Sequence, residues 1–112
     1  MPERRLCRLE AIPDGQARGF TVGAGAGKII ILVARRGGAV HGYVNSCPHV
    51  GAPLDWTPDR FMSPDGQYLM CAMHGALFLV EDGACVSGPC VGKLLTPVPV
   101  GLDDDHVVYH DD

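Results

Sequence analysis

Two short boxes hold the residues best suited to chemistry, Cys47-Pro48-His49 and Cys71-Ala72-Met73-His74, with 21 residues between His49 and Cys71. Each offers one thiolate and one imidazole. Both are flanked for tight turns: Pro48 sits inside the first box, Gly51 lies two residues after His49, and Gly75 follows His74 directly. A turn whose N–H groups point inward brings both side chains to one face and donates hydrogen bonds to sulfur. Two Cys and two His allow two metal centres. One is a tetrahedral structural Zn²⁺; the other is a [2Fe–2S] cluster with two thiolates on one iron and two imidazoles on the other. Ligand softness does not separate them, but spacing favours the cluster. Zinc ribbons pair Cys with Cys, and zinc fingers put both Cys in one box and both His in the other. Here each box mixes the two, so facing loops could each send a Cys to an inner iron and a His to an outer one.

The elements that must carry these boxes are short. Arg4–Glu10, Ala17–Val22, Lys28–Arg35, Val40–Asn45, Tyr68–Cys71, Leu77–Val80, Leu94–Val100 and His106–His110 each read as a strand bounded by Gly, Pro, Asp or Asn. No segment keeps helical apolar spacing over three turns without an internal Gly or Pro, so any helix is a single turn. The pattern predicts an all-β domain, a sandwich or partly closed barrel. The long stretch Pro48–Gln67 lacks strand character and reads as a functional loop. Val22-Gly-Ala-Gly-Ala-Gly-Lys28 mimics a phosphate loop, but its glycines alternate strictly, Ile29 stands where Ser or Thr is needed, and a strand follows. It reads as a hairpin turn.

With 112 residues, 15 Gly, 9 Pro and 46% hydrophobic residues, the chain predicts one small domain, 1–112, whose core is marginal enough for a metal to matter. The longest apolar run, Ile29 to Ala34, is far short of the roughly 20 residues of a membrane span. The charged N-terminus has no apolar stretch of a signal peptide, which makes the cytoplasm the expected compartment. Net charge is −4, divided unevenly: residues 1–46 hold seven Arg and Lys against three acids, and residues 47–112 hold two against ten. Without a basic stripe, nucleic acid is not an expected partner.

Cys47-Pro-His49-Val-Gly51-Ala-Pro53-Leu54, Cys71-Ala-Met-His74-Gly75-Ala-Leu-Phe78 and Asp82-Gly83-Ala-Cys-Val-Ser87-Gly88-Pro89 resemble the three cluster-forming loops of Rieske iron–sulfur proteins. The resemblance implies a Rieske-type fold of stacked antiparallel sheets, with a small cluster-binding subdomain of loops at about 46–54, 70–78 and 85–90. It implies one [2Fe–2S] cluster, with Cys47 and Cys71 on the buried iron and His49 and His74 on the exposed one, and Gly88-Pro89 covering it. The 21-residue gap is a few longer than in ring-hydroxylating dioxygenase ferredoxins, and Asp59–Gln67 accounts for it as a small hairpin around Pro64-Asp65-Gly66. Respiratory members carry an additional disulfide-forming Cys in each cluster loop, where this chain has Ala52 and Met73. They also carry Ser and Tyr hydroxyls after the second box, where Ala76 and Phe78 stand. The likeness is therefore to the ferredoxin type.

The function implied is a soluble, non-catalytic electron carrier, the ferredoxin of a multicomponent oxygenase system, exchanging electrons with a reductase and a terminal oxygenase or reductase. A small Rieske subunit of a larger enzyme, as in nitrite reductases, is the alternative, and a zinc module the third reading. Outside the boxes, Cys7 reads as a half-buried apolar residue. Cys85 and Cys90 could pair, though a reducing compartment favours thiols. His41, His106 and His110 read as structural or exposed, and Trp56 and Phe61 as residues that pack the long loop onto the body.

Overall fold

A computed structural model of the chain describes residues 3–23, 29–46, 54, 61–71, 75–88 and 91–110. Among the described residues ten strands run in the order β1 (Glu3–Arg8), β2 (Ala17–Val22), β3 (Ile29–Arg36), β4 (Ala39–Val44), β5 (Tyr68–Met70), β6 (Leu77–Leu79), β7 (Cys85–Ser87), β8 (Pro97–Val98), β9 (Val100–Asp103) and β10 (His106–His110). They form three antiparallel sheets: an outer sheet β1-β10-β9, a central sheet β2-β3-β4-β8 and a small sheet β5-β6-β7. Helical structure among the described residues is one 3-10 turn, Leu9–Ala11. The all-β expectation holds.

β3 explains the layering. Its run Ile31-Leu32-Val33-Ala34 is wholly buried, and because successive side chains alternate faces, each face needs cover. Ile31 and Val33 join Ile12, Val22 and Val107 in one core, against the outer sheet. Leu32 and Ala34 join Tyr43, Leu54, Phe61, Leu69, Cys71 and Phe78 in a second core, beneath the small sheet. The outer layer lies close, because a Cβ on Gly42 of β4 would stand 2.8 Å from the side chains of both Val98 and Val100.

Three sequence expectations are corrected here. Leu94–Val100 is not one strand: Pro99 has no N–H for a ladder, and there the chain leaves the central sheet as β8 and enters the outer sheet as β9. The first strand stops at Arg8, where the chain tightens into the 3-10 turn, and the Arg35 guanidinium donates to the Ile12 carbonyl just beyond it at 3.1 Å. Cys85–Ser87, read only as loop, pairs with β6 as a third strand. The proposed phosphate-loop mimic joins β2 to β3 with Val22 opposite Ile29, so a hairpin it is; residues 24–28 themselves lie outside the described set. The hairpin around Pro64-Asp65-Gly66 is also present, with Met62 bridged to Leu69 and the Ser63 N–H bonded to the Tyr68 carbonyl at 2.8 Å.

Two side chains tie the small sheet to the central one. The Tyr43 hydroxyl donates to the Val80 carbonyl at 2.7 Å inside the core. Arg36, at the end of β3, donates to the Gln67 carbonyl at 2.7 Å and lies 3.4 Å from Glu81. Burial, with the Asp82 and Glu81 charges adding to it, pushes the Tyr43 phenol up to about 12 from its ordinary 10.0. The unfolded chain therefore loses this proton first as pH rises. The stabilisation is fully present below about pH 10 and is lost on the way to about pH 12. Replacing Tyr43→Phe should cost about 1–3 kcal/mol, because the Val80 carbonyl loses its partner, and should flatten the alkaline fall in stability over that range. Urea unfolding at pH 7 and between pH 10 and 12 checks both.

Candidate metal centre

The described residues beside the two boxes come from the central sheet and from the small one. The first loop leaves β4 through Asn45, which is 8% exposed, and the Asn45 side-chain oxygen accepts the N–H of fully buried Leu54 at 2.8 Å. That bond draws together residues 45 and 54, which flank the first box in the sequence. A second bond, Asn45 N–H to the Ile30 carbonyl at 2.9 Å, fastens Asn45 to β3. Cys47 and His49 lie outside the described residues.

The second loop is the tip of the β5–β6 hairpin. Cys71 is fully buried, its N–H donates to the Ala76 carbonyl at 2.9 Å, and its carbonyl accepts from Gly75 at 2.8 Å. Gly75 takes φ +69° to close this turn, a conformation costly for a residue with a Cβ. Cys71 and Leu54 share one apolar core with Ala76 and Phe78. His74 lies outside the described residues.

The third loop closes over the second. Gly88 has φ +98°, and a Cβ there would come within 2.8 Å of the Ala76 Cα. Behind it the Cys85 N–H donates to the Lys93 carbonyl at 3.0 Å, returning the chain to the sheet. Cys85 is a thiol, and its Sγ donates to the Ser87 carbonyl at 3.2 Å; Cys90 lies outside the described residues. The donor chemistry fits an iron–sulfur group. A buried cysteine at a turn, in an apolar floor, under a glycine that admits only backbone, makes a cradle for a compact sulfur-rich centre.

The remaining sequence candidates fall elsewhere. Among the described residues no three His, Cys, Asp or Glu gather as a metal site. His41 lies in β4, and His106 and His110 lie in β10. Cys7 is half-buried against the outer core, where burial raises its thiol pKa and the Arg18 charge opposes the rise. Phe61 is fully buried as expected, and Trp56 lies outside the described residues. Sequence reading missed Asn45 as the clasp; an Asn ending a strand two positions before a Cys box was its only signal.

The Rieske [2Fe-2S] domain family model matches residues 3–100. This chain belongs to that family. The cofactor that goes with the family is a Rieske [2Fe–2S] cluster. The ferredoxin of Sphingomonas yanoikuyae B1 is 25% identical with a TM-score of 0.72, covering 99% of this chain and 100% of that one. The ferredoxin of carbazole 1,9a-dioxygenase from Nocardioides aromaticivorans IC177 has a TM-score of 0.77 at 23% identity, with both chains fully covered. Among curated proteins, cholesterol 7-desaturase of Caenorhabditis elegans is 30% identical over 84 residues, 75% of this chain. This chain spans only 18% of that relative's length, and 14% of the mouse apoptosis-inducing factor 3, to which it is 28% identical.

The clasp makes a prediction. Asn45→Ala leaves the buried Leu54 N–H without its acceptor, which costs about 1–3 kcal/mol, and lets the first loop open. Iron release to a chelator, followed by visible absorbance, should be faster in Asn45→Ala than in the wild-type protein at equal temperature.

Proposed function

We propose that the protein is an electron carrier in which Cys47, His49, Cys71 and His74 hold one Rieske [2Fe–2S] cluster. The observation that carries this reading is the buried Cys71 turn, roofed by Gly88 and floored by the core that also holds Leu54. When bound, the cluster supplies a one-electron couple. The chain's own residues supply the rest: Cys71 offers its sulfur from a site closed to water, and the Cys71–Ala76 and Gly75–Cys71 bonds hold the turn rigid so that little reorganises when charge changes. His49 and His74 take the outer positions, nearest a partner.

The working partners of this carrier are a reductase as donor and a terminal oxygenase as acceptor. Support for an oxygenase comes from a solved complex of oxygenase and ferredoxin in carbazole 1,9a-dioxygenase, in which one chain has a TM-score of 0.75 to this one at 24% identity. The protein itself performs no catalysis in this scheme and works in the cytoplasm; among the described residues no helix is long and apolar enough to cross a membrane.

Ala76 and Phe78 are both fully buried and carry no hydroxyl. Hydroxyl donors to sulfur favour the reduced, more negative state, so their absence sets a low potential. Protein-film voltammetry should give a reversible one-electron wave near the lower end of the Rieske range, roughly −150 mV rather than +300 mV. Ala76→Ser with Phe78→Tyr should shift it upward. A redox-silent protein would leave the zinc reading instead, and a midpoint in the upper part of the range would remove the role given to residues 76 and 78.

A further inference from the structure

The small sheet breaks the usual rule for a sheet with one face on a core, which is apolar inside and polar outside. Leu69, Phe78 and Cys85 point inward and are buried. By alternation Tyr68 and Met70 of β5, Leu77 and Leu79 of β6, and Val86 of β7 point outward. The pairs Tyr68–Leu79 and Met70–Leu77 stand directly opposite each other across the ladder. Leu94 joins them through its bridge to Ala84. None of these six belongs to either buried core; Val86 and Leu94 are 46% and 61% exposed, and the other four are half-buried. These six side chains are uncharged, and the exposed Lys93 stands next to Leu94 in the chain. An apolar face of this kind marks a contact surface.

Its rim is acidic at one end. The turns at the end of the sheet away from Cys71 carry Asp65, Glu81 and Asp82, against the single Arg36 that lies 3.4 Å from Glu81. These acids are held in place. Asp65 accepts from the Ser63 hydroxyl and the Gln67 N–H, both of which lower its pKa, and Asp82 accepts the Ala84 N–H at 2.9 Å. The triplet Asp103-Asp104-Asp105 turns between β9 and β10 in the outer sheet, with the central sheet between it and this face.

We infer that the outer face of the small sheet is the docking surface for the redox partner, a different protein presenting an apolar patch bordered by Lys or Arg. The inference rests on the electron-transfer reading above. Charge complementarity selects the occupant: a second copy would bring the same acidic rim and the same net charge of −4, whereas a basic border matches Asp65, Glu81 and Asp82. Place agrees, since Cys71 directly follows β5 and β6 begins just past Ala76, so a protein seated there lies beside the electron's exit. Apolar contact gives the complex its lifetime, and the rim gives it its approach rate and orientation.

The test uses the whole chain with its cluster and a lysine-rimmed c-type cytochrome as electron acceptor, beside hexaammineruthenium(III), a small complex that needs no docking face. Val86→Ser with Leu94→Ser changes two exposed positions without altering charge and should slow cytochrome reduction on the order of tenfold, the effect of losing about 1.4 kcal/mol of contact. The visible spectrum, the midpoint potential and the ruthenium rate should stay as in the wild type. Asp65→Asn with Asp82→Asn keeps the turn bonds and should weaken the salt dependence of the cytochrome rate. An unchanged cytochrome rate in the first variant, or an unchanged salt dependence in the second, overturns the inference. So does a wild-type dimer in sedimentation that the first variant dissolves, which gives the face to a second copy. If the wild type passes electrons to neither acceptor, the electron-carrier reading itself fails.

Discussion

Everything in this molecule follows from one strand that must be hidden on both sides. Four consecutive apolar residues of β3, Ile31 to Ala34, alternate between two faces and are all buried. An apolar side chain of this size gains about 1.5–3 kcal/mol from full burial, so neither face can be left to water. The outer sheet covers one side and the small sheet the other. The small sheet is then held by its inward residues Leu69, Phe78 and Cys85, and its loop-bearing tips are fixed by the same packing that stabilises the body. Cys71 stands at the end of β5, in a layer whose first task is to cover β3.

This arrangement divides labour between backbone and side chains. Hydrogen bonds from backbone groups shape the loops: Asn45 with Leu54, Cys71 with Ala76 and Gly75, and Cys85 with Lys93. Side chains are small where loops meet, Ala76 under Gly88, and large where the floor must exclude water, as at Phe61 and Phe78. A centre whose charge changes by one benefits from surroundings that do not move, and the hydrogen-bonded residues Cys71, Gly75 and Ala76 on a dry floor supply such rigidity.

The strands were legible because β3 carries a continuous apolar run, and β2 and β10 gather β-branched and aromatic residues, Phe20, Thr21, Val22, Val107, Val108 and Tyr109, between turn formers. The two boxes stand out in the sequence because thiol and imidazole spacing is a chemical signature that needs no fold, and of their four candidate ligands the structure describes Cys71. Less was visible where a single residue decides topology. Pro99 moves the chain between sheets, yet in the sequence it reads as one more proline in a strand-like stretch. Asn45 clasps a loop through a partner nine residues on, a relation no local pattern encodes. The apolar outer face arises only when Tyr68, Met70, Leu77, Leu79, Val86 and Leu94, drawn from four segments, are laid side by side by the register.

The central claim is that two mixed boxes, each giving one sulfur and one imidazole, hold a single binuclear cluster on this sheet's tips. Pulsed electron paramagnetic resonance on the reduced protein reads it directly, together with iron and acid-labile sulfide analysis. The account predicts two irons and two sulfides per chain and couplings from two histidine nitrogens on one iron, with the second nitrogen coupling lost in His74→Cys. A spectrum without nitrogen coupling, or a chain that binds one zinc and no sulfide, would contradict it.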